Sequence, residues 1–168
     1  RWIGNATFAD YIIVWARNAD EGNKVQGFVV TKGSPGFRAQ KMEGKLACRA
    51  TQNADLFFED VFVPSAMRLE KATDFQTGTN ALLRTSRLQV AFWLAGLACG
   101  AFEEALSYTK SRVQFGKPLA QHQLVQERLS RMLGMCELST THLVHLASEL
   151  DKGVEVSMGT IARAKAEV

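Results

Sequence analysis

Apolar residues in the first third of the chain occur in short runs, separated by polar and turn-forming residues. The runs at 10–17, 25–31, 37–42, 54–58 and 61–63 predict strands. Turn sequences such as Lys32-Gly-Ser-Pro-Gly36 stand between them. Because no helical stretch intervenes, we expect an antiparallel sandwich or partly open barrel rather than parallel βαβ units.

From about Phe75 onward the apolar residues recur at three- and four-residue steps, which is the period of helices. We expect one long helix to about Arg112, a second from about Ala120 to Asp151, and a third beginning at the N-cap residue Ser157. Long helices with short joints predict antiparallel neighbours in a bundle. The predicted packing face of the first helix holds Leu83, Arg87, Val90, Leu94, Leu97, Ala101, Ala105 and Tyr108.

The predicted fold class is therefore α+β, with an antiparallel β-sandwich or barrel followed by an antiparallel helical bundle. Residues 1–67 form the β-domain, residues 68–78 a polar linker, and residues 79–168 the first helices of the bundle. The chain opens in strand-like sequence without an initiator Met and ends within a helical pattern without a C-cap. We therefore expect both domains to be incomplete and the chain to be an internal segment of a longer one.

Charge and composition exclude few classes of protein. The net charge of +3 is carried by scattered basic residues, which argues against nucleic-acid binding. The longest apolar run, 90–102, is shorter than the ~18 residues of a membrane span, so no transmembrane segment is expected.

The cysteine and histidine spacings do not predict a metal site. Cys48, Cys99 and Cys136 are odd in number and too far apart for a metal pair or a disulfide framework, which fits a reducing compartment. His142 and His145 lie three residues apart, but no further ligand completes a set, so a surface pair is the better interpretation.

The joint between the first two predicted helices carries more chemistry than a turn needs. Residues 112–126 read Arg-Val-Gln-Phe-Gly-Lys-Pro-Leu-Ala-Gln-His-Gln-Leu-Val-Gln. The Arg112 guanidinium is a planar fork that matches phosphate oxygens, and Gln123 falls in a first helical turn, whose free N–H groups favour an anion. Phe115 is able to pack beside an adenine or a ribose. The alternative is structural: Arg112 caps its own helix, and Phe115 plugs the end of the bundle.

This joint, Arg-x-Gln-Phe-Gly-x-Pro-Leu followed by x-x-x-Gln, resembles the acyl-CoA dehydrogenase family. Trp2-Ile3-Gly4-Asn5 is similar to that family's Trp-Ile-x-Asn segment, and Val61-Phe62-Val63-Pro64 is similar to its Val-x-Val-Pro exit from the β-domain. The motifs keep one order and cover essentially the whole chain. Within the family, the chain resembles glutaryl-CoA dehydrogenase and the plant-type short-chain acyl-CoA oxidases.

The resemblance implies a flavoenzyme with a helical, a β and a second helical domain, of which this chain holds most of the β-domain and the start of the last. Family members use FAD to form an α,β-unsaturated acyl-CoA. A glutamate takes the α-proton while a hydride leaves the β-carbon for flavin N5. The FAD belongs in part to the neighbouring subunit, so a homodimer or homotetramer is implied.

The resemblance also assigns residues. Those matching positions that hold the ADP half of FAD are Arg112, Gln114, Phe115 and Gln123. Those alongside the isoalloxazine ring are Trp2, Ile3 and Gly4. Those in the stretch that lines the acyl-CoA site are Asn80, Arg84 and Arg87. Arg87 is the expected direct contact, and its alternative role is an inter-domain ion pair.

Two departures from the family pattern bear on the chemistry. Most relatives carry Thr or Ser in place of Gly4, and that hydroxyl can hydrogen-bond flavin N5. Glycine there is similar to the oxidase branch, and we hypothesise that it alters how reduced flavin meets oxygen. Some branches of the family carry the catalytic glutamate at the position that Ser86 occupies here. Because serine cannot act as that base, we expect the base outside this segment and assign no catalytic residue within it.

The sequence leaves the activity and the compartment open. An acyl-CoA oxidase that passes electrons to oxygen and a non-catalytic helical scaffold remain alternatives to a dehydrogenase. The mitochondrial matrix, the peroxisome and the bacterial cytoplasm all fit the sequence.

Overall fold

The computed structural model describes residues 1–168 as two compact units, Arg1–Ala81 and Leu82–Val168. The first unit is antiparallel β-structure and the second is helical, which confirms the α+β class. The strands are β1 (Ile3–Gly4), β2 (Tyr11–Asn18), β3 (Lys24–Thr31), β4 (Phe37–Lys41), β5 (Asn53–Phe58), β6 (Val113–Gln114) and β7 (Lys117–Pro118). The α-helices are α1 (Ala81–Ser111), α2 (Gln123–Asp151) and α3 (Met158–Ala166).

The first unit contains two antiparallel sheets that share a small core. One sheet has the order β1-β5-β4, and the other is the β2–β3 hairpin, in register from Tyr11↔Thr31 to Asn18↔Lys24. Because side chains alternate across a strand, each sheet turns one set of apolar residues inward. The residues of this core are Ala6, Ile12 and Ala54, with Val14, Phe37, Ala39 and Leu56 packed against them.

The run at 61–63 forms no strand, so that prediction is wrong. Asp60 has a positive φ of 50° and turns the chain after β5, and the following residues pair with no neighbour. Phe62 is 82% exposed, whereas Val61 and Val63 are half-buried. The alternating burial of residues 61–63 therefore indicates extended backbone, but no neighbouring strand pairs with it.

A buried amide ties the stretch 68–78 to the β2–β3 hairpin. The side chain of Gln26 is 1% exposed; its Oε1 accepts a hydrogen bond of 3.0 Å from Asn18 Nδ2. Its Nε2 donates to Glu21 Oε2 at 2.9 Å and to the Thr73 carbonyl at 3.2 Å. A buried polar group without partners is costly, so these bonds fix where the chain leaves the β-unit.

The helical unit is held together by small residues of α1 that face leucines of α2. Its core residues are Ala91 and Ala95 of α1, Leu143 and Leu146 of α2, Val156, and Ile161 and Ala164 of α3. The predicted N-cap is confirmed, since Ser157 Oγ accepts a hydrogen bond of 3.1 Å from the Thr160 amide. Helix α2 starts at Gln123 rather than near Ala120, because Leu119–Gln121 forms a 3₁₀ turn.

The predicted packing face of α1 is wrong in part. Leu97 and Tyr108 are 58% and 59% exposed, whereas the buried residues are Ala91 and Ala95. Helix α1 carries apolar side chains on all sides, so the period alone does not select a face. The two alanines instead share the core with Leu143 and Leu146 of α2.

One helix, Gln76–Ser111, is long and apolar enough to cross a membrane. Its most apolar 18-residue window has a mean hydropathy of 1.3, and 11% of that window is buried in the structure. The sequence expectation rested on one uninterrupted apolar run, whereas an average tolerates isolated polar residues. A core helix of a soluble protein has the same length and composition, so this property does not by itself place the helix in a membrane.

Gly78 provides a test of packing in the first unit. A Cβ at this buried glycine would lie 2.5 Å from Trp15 Cζ3 and 3.1 Å from Ala72 Cβ. We expect Gly78→Ala to lower the free energy of unfolding by about 1–3 kcal/mol, measured by urea titration. In the control Gly159→Ala, the new Cβ would meet only Ser157 Oγ at 3.8 Å, and stability should be unchanged or slightly higher. Wild-type stability of Gly78→Ala would show that Trp15 moves aside freely.

Candidate functional site

The joint between α1 and α2, residues 112–123, is a tight structured segment that we call the elbow. Strands β6 and β7 pair within it, with Val113 opposite Pro118. The two residues between the strands, Phe115 and Gly116, have positive φ values of 52° and 79°. Such a left-handed pair is the geometry of a type I′ turn, whose twist matches that of the flanking strands.

The turn holds the Phe115 ring out in solvent. The residue is 92% exposed, and its only aromatic neighbour is the His122 ring, at a centroid distance of 6.3 Å and an interplanar angle of 85°. A left-handed conformation costs a residue with a side chain about 1–2 kcal/mol. Because the ring is exposed, the alternative that Phe115 plugs the end of the bundle is wrong for this structure.

The Arg112 side chain is free although its backbone is fixed. Its amide donates to the Tyr108 carbonyl at 2.8 Å, and its carbonyl accepts from the Leu119 amide at 2.9 Å. The guanidinium is exposed and has neither a carbonyl nor a carboxylate partner in the chain, so it does not cap α1. The side-chain amide groups of Gln114 and Gln123 are likewise exposed and have no hydrogen-bond partner.

The electrostatics of the elbow favour an anion. No Asp or Glu occurs in residues 105–126, which include Lys110, Arg112 and Lys117. The carbonyl of His122 accepts from the amides of Val125 and Gln126 at 2.9 and 3.0 Å, so α2 begins without a side-chain cap. The first N–H groups of a helix carry partial positive charge, which adds to that of the cations.

Two elbow residues were not singled out from the sequence. Lys117 donates from Nζ to the Gln121 carbonyl at 3.1 Å, and His122 Nε2 lies 3.4 Å from the Gln114 carbonyl. Both contacts join the β6–β7 hairpin to the residues just before α2. The Phe-Gly pair flanked by Gln and Lys was the available signal for a hairpin, but an aromatic residue is unusual at the first turn position.

The segment Trp2–Gly4 lies at an edge of the three-stranded sheet. Ile3 pairs with Ala54 and Gly4 with Asn53, whose Nδ2 also donates to the Trp2 carbonyl at 2.9 Å. Trp2 has a positive φ of 63° and is 62% exposed. The backbone thus presents the indole outward instead of packing it.

Gly4 is not required by the backbone. A Cβ at this position would meet only Thr51 Cγ2, at 3.8 Å, which is an ordinary contact, and its φ lies outside the left-handed region. The fold therefore admits a larger residue such as threonine there.

The candidates Asn80, Arg84 and Arg87 follow one another at helical steps, but their environments differ. Asn80 closes a π-helical turn and donates from Nδ2 to Gln76 Oε1 at 2.7 Å. Arg84 donates to the Val156 carbonyl and lies 3.8 Å from the Glu155 carboxylate. Arg87 Nη1 points at the thioether sulfur of Met158 and forms no ion pair within the helical unit.

The π-helical turn Gln76–Asn80 holds a further polar group that the sequence did not reveal. Thr79 Oγ1 is buried and has no hydrogen-bond partner. Short π-helical segments often mark functional sites, and an unpaired buried hydroxyl is costly. Thr79 is therefore a candidate site residue beside Asn80.

The elbow and the Arg84–Arg87 stretch lie near opposite ends of α1. The helix has 31 residues, which at about 1.5 Å per residue is about 45 Å. One small ligand therefore cannot contact both within a single copy. No group of three His, Cys, Asp or Glu side chains is arranged to hold a metal ion.

Comparison with known proteins identifies both units. Residues 77–167 match the family described as acyl-CoA dehydrogenase, C-terminal domain, and residues 1–61 match acyl-CoA dehydrogenase, middle domain. An acyl-CoA dehydrogenase of Bacillus subtilis is 35% identical over 164 residues, covering 94% of this chain and 43% of that protein.

Solved structures agree over nearly the whole chain. The glutaryl-CoA dehydrogenase of Mycobacterium smegmatis superposes with a TM-score of 0.90 at 32% identity, covering 97% of this chain and 41% of that one. A complex of such an enzyme from the same organism with FADH2 gives a TM-score of 0.90 at 31% identity, with the same coverage. The chain thus spans about two fifths of the length of the relatives that it matches.

The turn residues of the elbow allow stability to be separated from ligand binding. Because Phe115 is exposed and left-handed, Phe115→Gly should raise the free energy of unfolding by about 1 kcal/mol. The reverse change next to it, Gly116→Ala, should lower it by a similar amount. Urea titration of both variants checks this pair. Destabilisation by Phe115→Gly would show that the ring packs against the fold after all.

Proposed function

The chain belongs to the acyl-CoA dehydrogenase family, and from this premise we propose that it is a segment of an FAD-dependent oxidoreductase that dehydrogenates an acyl-CoA thioester between its α- and β-carbons. The observation that carries the proposal is the elbow, where a free guanidinium, an exposed aromatic ring and a helix N-terminus meet in a segment without acidic residues. The similarity to a glutaryl-CoA dehydrogenase whose structure contains FADH2 supports it.

The elbow residues fit the ADP half of FAD. Arg112 is able to donate two parallel hydrogen bonds to phosphate oxygens, which a neutral side chain cannot do. The side-chain amides of Gln114 and Gln123 add neutral donors and acceptors within the same elbow. Phe115 offers a flat apolar face to an adenine or ribose, and its outward position leaves that face accessible.

The segment Trp2–Gly4 would flank the isoalloxazine ring. The exposed indole of Trp2 supplies a stacking surface, and Ile3 and Gly4 supply backbone groups at a sheet edge. When bound, FAD supplies the acceptor for the hydride that leaves the β-carbon of the substrate. Asn80, Arg84 and Arg87 would line the acyl-CoA site, with Arg87 as the direct contact.

The catalytic base lies outside this chain in our proposal. Removing an α-proton near neutral pH requires a carboxylate whose pKa is raised by burial. The carboxylates with a clear shift in this chain are shifted the other way. Hydrogen bonds from Gln26 and Arg68 lower the pKa of Glu21, hydrogen bonds from Thr77 lower that of Asp74, and a hydrogen bond from Lys152 lowers that of Glu149.

The distance between the two ends of α1 supports an oligomer. The acyl-CoA residues and the elbow would serve different FAD molecules, because they are separated by most of a helix of 31 residues. A homodimer or homotetramer in which the elbow holds the cofactor of a neighbouring subunit satisfies this separation.

Within the family, we propose the branch of glutaryl-CoA dehydrogenase and the short-chain acyl-CoA oxidases. The second candidate function is the oxidase, because glycine at position 4 is similar to the oxidase branch. The fold admits a larger residue there, so the backbone does not require this glycine. A non-catalytic scaffold would need neither the free Arg112 nor the exposed Phe115.

Arg112→Ala tests the cofactor site. Loss of a charged phosphate hydrogen bond should cost about 1.5–3 kcal/mol of binding, or roughly 10- to 150-fold in FAD affinity, with little change in unfolding. Flavin retained through gel filtration and fluorescence titration of FAD measure this in the intact protein. Arg128→Ala, which removes an equal charge from an exposed site on α2, is the control and should retain flavin. Equal retention by both variants would refute the assignment.

The visible spectrum of the intact protein tests the reaction. Short acyl-CoA substrates should bleach the flavin, and peroxide release would identify an oxidase, whereas a need for an external electron acceptor would identify a dehydrogenase. If Gly4 controls access of oxygen, Gly4→Thr should slow reoxidation by oxygen in rapid-mixing experiments. Equal rates would end that idea, and flavin that never bleaches would favour a scaffold.

A further inference from the structure

Two cysteines line one cleft of the helical unit. Cys99 on α1 and Cys136 on α2 border a cleft of about 390 Å³. Its other residues are Phe102, Glu103, Leu133, Glu137, Thr140 and Thr141. Both cysteines are free thiols, and neither has a role in the proposed cofactor or substrate site.

The packing of α1 on α2 places these thiols on facing sides. Ala95 and Leu143 belong to the same core, and the two helices run in opposite directions. One step of four residues along α1 leads from Ala95 to Cys99, and one of seven residues back along α2 leads from Leu143 to Cys136. Both steps return to the same face of a helix, so the two thiols continue the seam of the core.

The surroundings of the two thiols differ in exposure. Cys136 is 7% exposed, whereas Cys99 is half-buried. Burial raises the pKa of the Cys136 thiol, and a hydrogen bond with the Cys99 thiol raises it further. Cys99 is therefore the thiol that a reagent in the cleft reaches first.

We propose that Cys99 and Cys136 form a redox modification site, a dithiol that a low-molecular-weight disulfide such as oxidised glutathione converts into an intramolecular disulfide. A disulfide requires α-carbons within about 7 Å. Both thiols line one cleft between α1 and α2, so the two sulfur atoms are accessible to each other and to a small reagent. No third metal-binding side chain accompanies the pair, so a disulfide fits better than a metal site.

The reaction is a two-step thiol–disulfide exchange. Cys99, as its thiolate, attacks one sulfur of the oxidised glutathione, which breaks that disulfide and releases one reduced glutathione. Cys136 then loses its proton to solvent and attacks Cys99 Sγ, forming the Sγ–Sγ bond and releasing the second glutathione. The two protein thiols are oxidised by two electrons, and one glutathione disulfide is reduced to two thiols.

The crosslink would enclose the elbow. The closed loop, residues 99–136, contains the end of α1, all of residues 112–123 and the start of α2. Oxidation would therefore fix the two helices to each other behind the segment that carries Arg112 and Phe115.

Mass mapping of the intact protein tests the site. The protein, with Cys48→Ser to remove the exposed thiol of the first unit, is treated with oxidised glutathione, then alkylated and digested without reduction. We expect one crosslinked pair of peptides containing Cys99 and Cys136, lighter by about 2 Da than the two reduced peptides together, and its loss after dithiothreitol. Alkylation of both cysteines, or a glutathione on each, would overturn the proposal.

Thermal unfolding gives a second measurement that does not depend on the mapping. The oxidised protein should unfold at a higher temperature than the reduced one, because a crosslink restricts the unfolded chain. In Cys99→Ser the same treatment should leave the unfolding temperature unchanged. A rise of equal size in Cys99→Ser, or none in the parent, would contradict the crosslink.

Discussion

The left-handed pair Phe115–Gly116 is the constraint on which the elbow depends. This turn brings Val113 opposite Pro118 and lets the Leu119 amide reach the Arg112 carbonyl. The backbone of Arg112 is held from both sides, whereas its guanidinium is exposed and free to meet a ligand. The positive charge, the aromatic ring and the helix N-terminus thus come together through backbone geometry rather than through side-chain packing.

In the β-unit, too, a small number of hydrogen bonds sets the position of the chain. A few hydrogen bonds around Gln26 set the exit of the chain, while Trp2 stands outward on an edge strand that is only two residues long. The side chains of Trp2 in the first unit and of Arg112 and Phe115 in the second make few contacts with the rest of the chain. Such side chains contribute little to stability, which supports the proposal that they serve a ligand.

The sequence predicted the fold class, the strand runs from 10 to 58 and the positions of the helices, because each rests on local periodicity. It did not predict the inward face of α1, since apolar residues surround that helix and the alanines at 91 and 95 decide the packing. It also predicted a strand at 61–63, where the extended backbone has no neighbouring strand to pair with. At the elbow the residue types pointed to phosphate chemistry, but the hairpin and the free guanidinium became visible only in three dimensions.

Phe115 carries a further consequence for how this gene would change over time. The turn alone prefers glycine or asparagine at that position, and the only aromatic neighbour of the phenyl ring in the fold is His122. A descendant that had stopped holding a nucleotide would be free to drift towards the residues that the backbone prefers. If the elbow holds a nucleotide as we propose, the ring at position 115 is a marker, readable from sequence alone, of copies that still bind it.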